Sequence, residues 1–214
     1  MADTDSNRQL RDRIVERLRG SAPGGDAQHA WIGGLPPELS EKLRGWVPAT
    51  LAHAAVMVPI VERPQGLRLL FTQRASHLKN HPGQISFPGG RIEAGDPGPW
   101  EAALRETEEE IGLSRRHVAL VGYLHDHLVI SGYIVTPVVT FVAPDFELTL
   151  DPTEVDEVFE VPLLHVLDRG NHVMQTRQYF GHAFVSYDIP YQGRNIWGAT
   201  AGMLMSLCRV LEEH

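Results

Sequence analysis

Residues 105–110 read Arg-Glu-Thr-Glu-Glu-Glu, one arginine followed by four carboxylates within two turns of helix. The run stops at Gly112, so the carboxylates crowd a helix C-terminus. There they oppose the helix macrodipole, at about 0.3–1 kcal/mol each when exposed. Glu106 and Glu110 are also a like-charge i,i+4 pair. A segment needing only a soluble helix would carry Lys or Arg here, so the excess negative charge asks for an external cation. At about 100° per residue, Glu106, Glu109 and Glu110 fall within an arc of about 100°. Trp100, Leu104, Thr107 and Ile111 form a separate stripe that reads as the buried face. The carboxylate arc is then left to face a cleft. Three hard oxygen donors on one face suit Mg2+ or Mn2+; a solvated acidic surface is the alternative.

The neighbouring residues supply the ends of this helix. Asp96 reads as the N-cap and Pro97 as the first helical residue, where a missing N–H costs nothing. Gly112 suits the left-handed position past the last turn. Upstream, residues 84–87 read as a short strand that turns on Pro88-Gly89-Gly90. Strands are also expected over 52–61 and 67–74, joined at Arg63-Pro64-Gln65-Gly66. Further strands are expected over 118–128 and 133–142, joined by Ile130-Ser131-Gly132, and over 155–161. Residues 163–168 read as a short helix. Residues 173–179 and 183–188 read as a hairpin turning at Gly181-His182, and 195–211 as a final helix. Near the N-terminus, residues 1–7 read as disordered. Leu10, Ile14 and Leu18 predict an amphipathic helix over 8–19, ended by Gly20. That helix is expected to pack on the domain, a homodimer contact being the alternative. Residues 20–36 read as a linker, with one short helix over 39–46. Strands outnumber helices and mix hairpins with helical crossovers, which suggests a mixed β-sheet between helices.

Composition narrows the class. The chain has 214 residues, 43% hydrophobic and 21% charged, which suits one soluble globular domain with extensions. The domain is expected over 51–214, after an N-terminal helix and linker extension over 1–50. A net charge of −8 argues against a nucleic-acid or anionic-membrane partner. It leaves room for a nucleotide whose charge is met by metal ions. The single Cys208 leaves no intrachain disulfide and fits a reducing compartment, where it reads as a buried structural thiol. No apolar core follows Asp3, Asp5 and Arg8, and no apolar run approaches a membrane span, so a cytoplasmic location is expected. The final LEEH is not a peroxisomal address.

The stretch from Gly90 to Leu113 resembles the Nudix box: Gly, five residues, Glu, seven residues, then Arg-Glu-apolar-x-Glu-Glu-x-Gly-apolar. Arg105 to Leu113 matches its second half, with Thr107 at an apolar position. In the first half Asp96 stands in place of Glu, and eight residues separate it from Arg105. That departure resembles one branch, the coenzyme A pyrophosphatases. The same branch carries a motif of the form LLTxRSxxLRxHxGxxxFPGG. Residues 69–90, LLFTQRASHLKNHPGQISFPGG, are similar to it, with one residue inserted before Thr72 and Lys79 in place of Arg. Ile196 to Ala201, IWGATA, also looks like this branch. The resemblance spans about 52–211.

The resemblance implies an α/β/α sandwich and metal-dependent hydrolysis of a diphosphate. The substrate would be coenzyme A or an acyl-coenzyme A, and the products 3′,5′-ADP and 4′-phosphopantetheine or its acylated form. Glu106, Glu109 and Glu110 match the family's metal ligands, with the Gly90 carbonyl as a further donor. Arg105 matches the residue that orients Glu106; a plain i,i+4 pairing with Glu101 or Glu109 is compatible with that role. Gly89 and Gly90 let backbone approach the site, or else answer a turn needing positive φ. Glu154 and Glu157 are candidates for an extra ligand or a general base, or are simply exposed charges. Between Arg74 and Arg91 there is no Asp or Glu, and Arg74, His77, Lys79, His81 and Arg91 make a cationic stretch in an acidic chain. Such a stretch suits the 3′-phosphate and diphosphate of coenzyme A, solvated loop residues being the alternative. His125 and His127, flanking Asp126, read as structural for want of a third soft ligand nearby. ADP-ribose, NADH or a nucleoside triphosphate is the rival substrate. A nucleotide-sensing protein that kept the fold and lost turnover is the rival of another class, and the intact carboxylate trio speaks against it.

Overall fold

In the computed structural model, residues 2–24, 51–129, 132–179 and 182–212 are described. The chain opens with α1 (Ala2–Leu18). It continues through β1 (Ala52–Arg63), β2 (Gly66–Arg74), β3 (Ile85–Ser86), β4 (Gly89–Arg91) and α2 (Pro99–Ile111). Then come β5 (Val118–Tyr123), β6 (His127–Val129), β7 (Tyr133–Val142), β8 (Val155–Pro162) and α3 (Leu163–Leu167). The last elements are β9 (Val173–Tyr179), β10 (His182–Tyr191), β11 (Arg194–Ile196) and α4 (Gly198–Glu212). The expected helix over 39–46 and most of the expected linker lie outside the described residues, as do two of the expected turn residues, Ile130-Ser131, and Gly181.

The main sheet has the order β3-β2-β1-β7-β5, with β4 on β1, β6 on β7 and β8 on β2. β1 and β7 run parallel and the other pairs antiparallel, so the sheet is mixed as expected. The two-residue period of β1 sets the layers. Ala55, Met57 and Val61 face α2, where Ala102, Ala103, Leu104 and Ile111 pack against them. Val58 and Ile60 face the other way, among Leu10, Ile14 and Leu18 of α1 and Met203, Leu207 and Leu211 of α4. Helices therefore cover both faces. Thr107 is fully buried on the α2 stripe, and its hydroxyl is satisfied by the Ala103 carbonyl at 2.6 Å. β9, β10 and β11 form a second, three-stranded sheet. No helix among the described residues is long and apolar enough to cross a membrane.

Five local expectations need correction. Pro88-Gly89-Gly90 is not a turn: Gly89–Arg91 is a strand, with Ala55 opposite Gly90 and Val56 opposite Gly89. Two adjacent glycines carry no strand propensity, so this pairing is imposed by tertiary contact. The site helix starts at Pro99, not Pro97, with Gly98 at the N-cap and no side-chain cap; Asp96 is engaged elsewhere. The strand expected over 118–128 breaks at 124–126, opposite Pro137, which has no N–H for the ladder. Residues 194–196 pair with β10, so the last helix begins only at Gly198, whose φ of +65° redirects the chain. Finally, α1 starts at Ala2; Asn7 lies against Gly66 of the β1–β2 hairpin, and Arg11, at mid-helix, bonds Glu62 at 2.6 Å and lies over the Phe141 ring.

Burial of Leu10, Ile14 and Leu18 contributes about 1.5–3 kcal/mol each, which stabilises a helix that would be marginal alone. The chain leaving α1 crosses β5 closely. Ser21 Oγ donates to the Leu18 carbonyl and accepts from Tyr123 N–H. A Cβ on Gly122 would sit 2.8 Å from the Leu18 carbonyl oxygen and 2.9 Å from its Cβ. Gly122 is not among the positive-φ glycines, so this is a pure matter of space. Gly122→Ala should therefore destabilise the protein by about 1–3 kcal/mol through overpacking, read as a lower urea midpoint. An unchanged midpoint would show that α1 is not held at this crossing.

Candidate active site

α2 is fixed at both ends. Pro99 opens it, and Gly112, at φ 69°, closes it with its N–H on the Glu108 carbonyl. The loop after β7 then crosses the C-terminus, where Thr149 N–H donates to Ile111 and Asp151 N–H to Glu110, each at 2.9 Å. Main-chain amides thus satisfy the last carbonyls, and no cation is needed there. A Cβ on Gly112 would lie 2.9 Å from Thr149 N.

Along the helix, β4 runs against the acidic side. Gly89 N–H donates to Glu110 Oε2 at 3.0 Å. A Cβ on Gly90 would lie 2.6 Å from the Glu106 carboxylate, and one on Gly89 would lie 2.6 Å from Val56 Cα. Gly89 also has φ 143°, while Gly90 is not in the left-handed region. The glycine pair therefore serves close approach on both sides of one short strand.

The expected arc of three carboxylates resolves into three environments. Glu110 is buried, and loss of hydration pushes its carboxyl up to about 8. Gly89 N–H and Arg74 oppose that shift, while Glu154 and Glu106 add to it. Glu106 is half-buried and raised, first by burial, with Glu109 and Glu154 adding repulsion against the pull of Arg105. Glu109 is exposed. Glu106 and Glu110 both lie against β4 and both feel the charge of Glu154, while Glu109 shares Arg105 with Glu106. Among the described residues no three His, Cys, Asp or Glu side chains already converge as a cage. The physical reason is visible: Arg105 holds Glu106 at 3.0 Å and Glu109 at 2.9 Å, and Gly89 draws Glu110 inward. The donors nevertheless fit a hard divalent cation. They are carboxylate oxygens lying against a glycine backbone cradle, and their mutual repulsion is only partly met by Arg105 and Arg74.

Arg105 is the hub of the site. Its Nε and Nη2 grip Asp96 at 3.1 and 3.0 Å, and Nη2 also reaches the Arg91 carbonyl at 3.1 Å. Asp96 accepts a further bond from Glu93 N–H, and Arg105 lowers its carboxyl below the usual carboxylate range. Sequence reasoning placed Asp96 at the helix start. Its role is instead to brace the arginine, and the signal for this was its place in the first half of the box, nine residues before Arg105.

Of the other expected site residues, Arg74 lies at a bulge in β2, and its buried Nε has no partner among the described residues. Its amide donates to Gln84 and its carbonyl accepts from Gly83, both at 3.0 Å, which closes the loop carrying His77, Lys79 and His81. Those three side chains are exposed, as is Arg91. The loop leaves from Ala75, whose N–H donates to the Glu154 carbonyl at 2.8 Å. Glu154 is exposed, whereas Glu157 is paired with Arg194. His125, Asp126 and His127 lie outside this cluster. Asp126 is buried and accepts from Thr136 at 2.7 Å. His127 is buried and donates from Nδ1 to the His125 carbonyl.

The NUDIX domain family model matches residues 51–180. An Escherichia coli O7:K1 protein described as "Uncharacterized Nudix hydrolase NudL" is 40% identical over 160 residues, covering 74% of this chain and 83% of its own. A MutT/nudix family protein from Enterococcus faecalis has a similar structure, with TM-score 0.48 and 16% identity, covering 82% of this chain and 70% of that one. A Nudix hydrolase from M. smegmatis, RenU, gives TM-score 0.47 at 22% identity over 55% of this chain and 74% of that one.

His127 yields a pH prediction. Burial pushes its imidazole down to about 4, while the unfolded chain titrates near 6.5. Between those values the unfolded state binds the extra proton. The contribution is therefore complete above about pH 6.5 and is lost as pH falls toward 4, by up to about 3 kcal/mol. The urea midpoint should drop more between pH 7 and 4.5 in the wild type than in His127→Gln. Equal drops would refute the assignment.

Proposed function

Because the chain belongs to the NUDIX family and is thus an enzyme acting on phosphorus anhydrides, we propose that its substrate is coenzyme A or an acyl-coenzyme A. Hydrolysis of the diphosphate would give 3′,5′-ADP and 4′-phosphopantetheine or its acylated form, in the cytoplasm. The observation that carries this reading is the junction at Ala75. The cationic loop that follows Arg74 leaves from a hydrogen bond to Glu154, and Arg74 acts electrostatically on Glu110. The acidic cluster and the start of the cationic stretch are therefore joined through Ala75 and Glu154. A substrate with a diphosphate and a separate 3′-phosphate would use both.

Glu106, Glu109, Glu110 and the Gly90 carbonyl would hold Mg2+ or Mn2+, with Glu154 as a further candidate ligand. The cation would supply positive charge against the diphosphate and the departing phosphate. Arg105, held by Asp96, keeps Glu106 in place. Gly89 and Gly90 keep the backbone close without a side chain between. Glu154, exposed and adding repulsion to both inner carboxylates, would take a proton from the attacking water; Glu157 is occupied by Arg194. Arg74, Lys79, His81 and Arg91 would bind the phosphates.

The test is direct. Purified protein with Mn2+ is given coenzyme A, ADP-ribose and NADH separately, and products are resolved by chromatography. Coenzyme A should be cleaved with the highest kcat/KM, and chelation with EDTA should abolish turnover. Preference for ADP-ribose would overturn the substrate assignment. Absence of turnover on all three would favour a sensor. Glu106→Gln and Glu109→Gln should each lower kcat by about 10²–10³ without lowering the melting temperature, the scale seen on removing one charge-stabilising group. Retained activity in Glu109→Gln would remove that residue from the site.

A further inference from the structure

The three-stranded sheet of β9, β10 and β11 has no task in hydrolysis as described, yet it contains a costly arrangement. Asp188 is 5% exposed. A buried carboxylate is unfavourable unless paired and hydrogen-bonded. Arg177 pairs with both of its oxygens, at 2.9 and 2.7 Å, and Asn195 donates to Oδ2 at 2.7 Å. Arg177 also donates to the Ser186 hydroxyl. What this network fixes is the guanidinium of Arg177, which lies 5.2 Å from the ring centroid of Trp197. Trp197 is 41% exposed, although Ile196 before it and Thr200 after it are buried. A large aromatic ring, backed by a clamped cation and partly open to water, offers a stacking surface.

The segment that carries the ring packs against the strand leading into the candidate active site. Thr200 donates to the Ile85 carbonyl at 3.0 Å, and a Cβ on Gly198 would be 3.4 Å from the Gln84 amide nitrogen. Gln84 in turn accepts the Arg74 amide. One short segment, 84–85, thus lies between residues 198–200, next to Trp197, and Arg74, whose charge is felt at Glu110. A nucleotide whose phosphates lie along Arg74 would carry its base toward Trp197.

Resting on the diphosphatase reading, we propose that Trp197 stacks the purine base of the substrate's nucleotide half, with Arg177 as the positioning residue behind it. Stacking accepts any base with a π-face, and its loss weakens binding measurably.

The experiment measures calorimetric binding of AMP, 3′,5′-ADP and ribose 5-phosphate to the full chain and its variants Trp197→Ala, Trp197→Phe and Arg177→Ala. Steady-state kinetics with coenzyme A accompany it. Trp197→Ala should weaken AMP and 3′,5′-ADP about tenfold or more, while Trp197→Phe stays within about threefold of wild type. Ribose 5-phosphate, which lacks the base, should bind wild type and Trp197→Ala alike. The kinetic effect should fall on KM rather than kcat, and Arg177→Ala should show a smaller rise in KM. A wild type that binds no adenine nucleotide would overturn the inference. So would a Trp197→Ala that binds AMP normally, or that loses ribose 5-phosphate equally. A wild type that binds AMP through Trp197 but leaves coenzyme A intact would instead overturn the substrate reading alone.

Discussion

Two carboxylates of α2 press against the main chain of β4 with no room for a side chain between. Glu106 would meet any Cβ on Gly90, and Glu110 takes the amide of Gly89. This contact holds only if both partners are fixed. β4 is fixed by antiparallel pairing with β1, the strand through the middle of the sheet. α2 is fixed by its apolar stripe, by Pro99 at its start and by Gly112 and the crossing loop at its end. Sheet, helix and loop therefore all bear on one approach of a few ångströms.

The electrostatics follow from that geometry. Burying Glu110 beside Glu106 and Glu154 is unfavourable in an apolar surrounding. One arginine shared among Asp96, Glu106 and Glu109 offsets part of it, and Arg74 a further part. The helix end would normally recruit a lysine or arginine. Here loop amides take the terminal carbonyls, which frees the acidic side chains of the last turn from any duty to the helix.

Much of this was legible in the residues, and the remainder was hidden for identifiable reasons. The α2 stripe, Gly112 and the whole of β7 follow from local periodicity and capping, and the structure has them as read. Gly89-Gly90 looked like a turn because two glycines have no strand propensity; only the partner across the sheet makes them a strand. Asp96 is a good N-cap by type, but Arg105 binds it more strongly than a helix end could. The helical wheel grouped Glu110 with Glu106 and Glu109 and could not tell buried from exposed within that arc. Arg194 taking Glu157, and Arg177 backing Trp197, join residues with no pattern in common. Such pairings exist only once the chain is folded.

The meeting of α1 with α4 has a consequence for assembly in time. Leu10, Ile14 and Leu18 share one cluster with Met203, Leu207 and Leu211. Contacts between segments so far apart along the chain close late and slow folding. During synthesis α1 is made before the sheet and α4, so its apolar face waits while those partners are made. A helix translated early is thus completed last, and the interval before α4 appears is when this chain is most open to wrong partners.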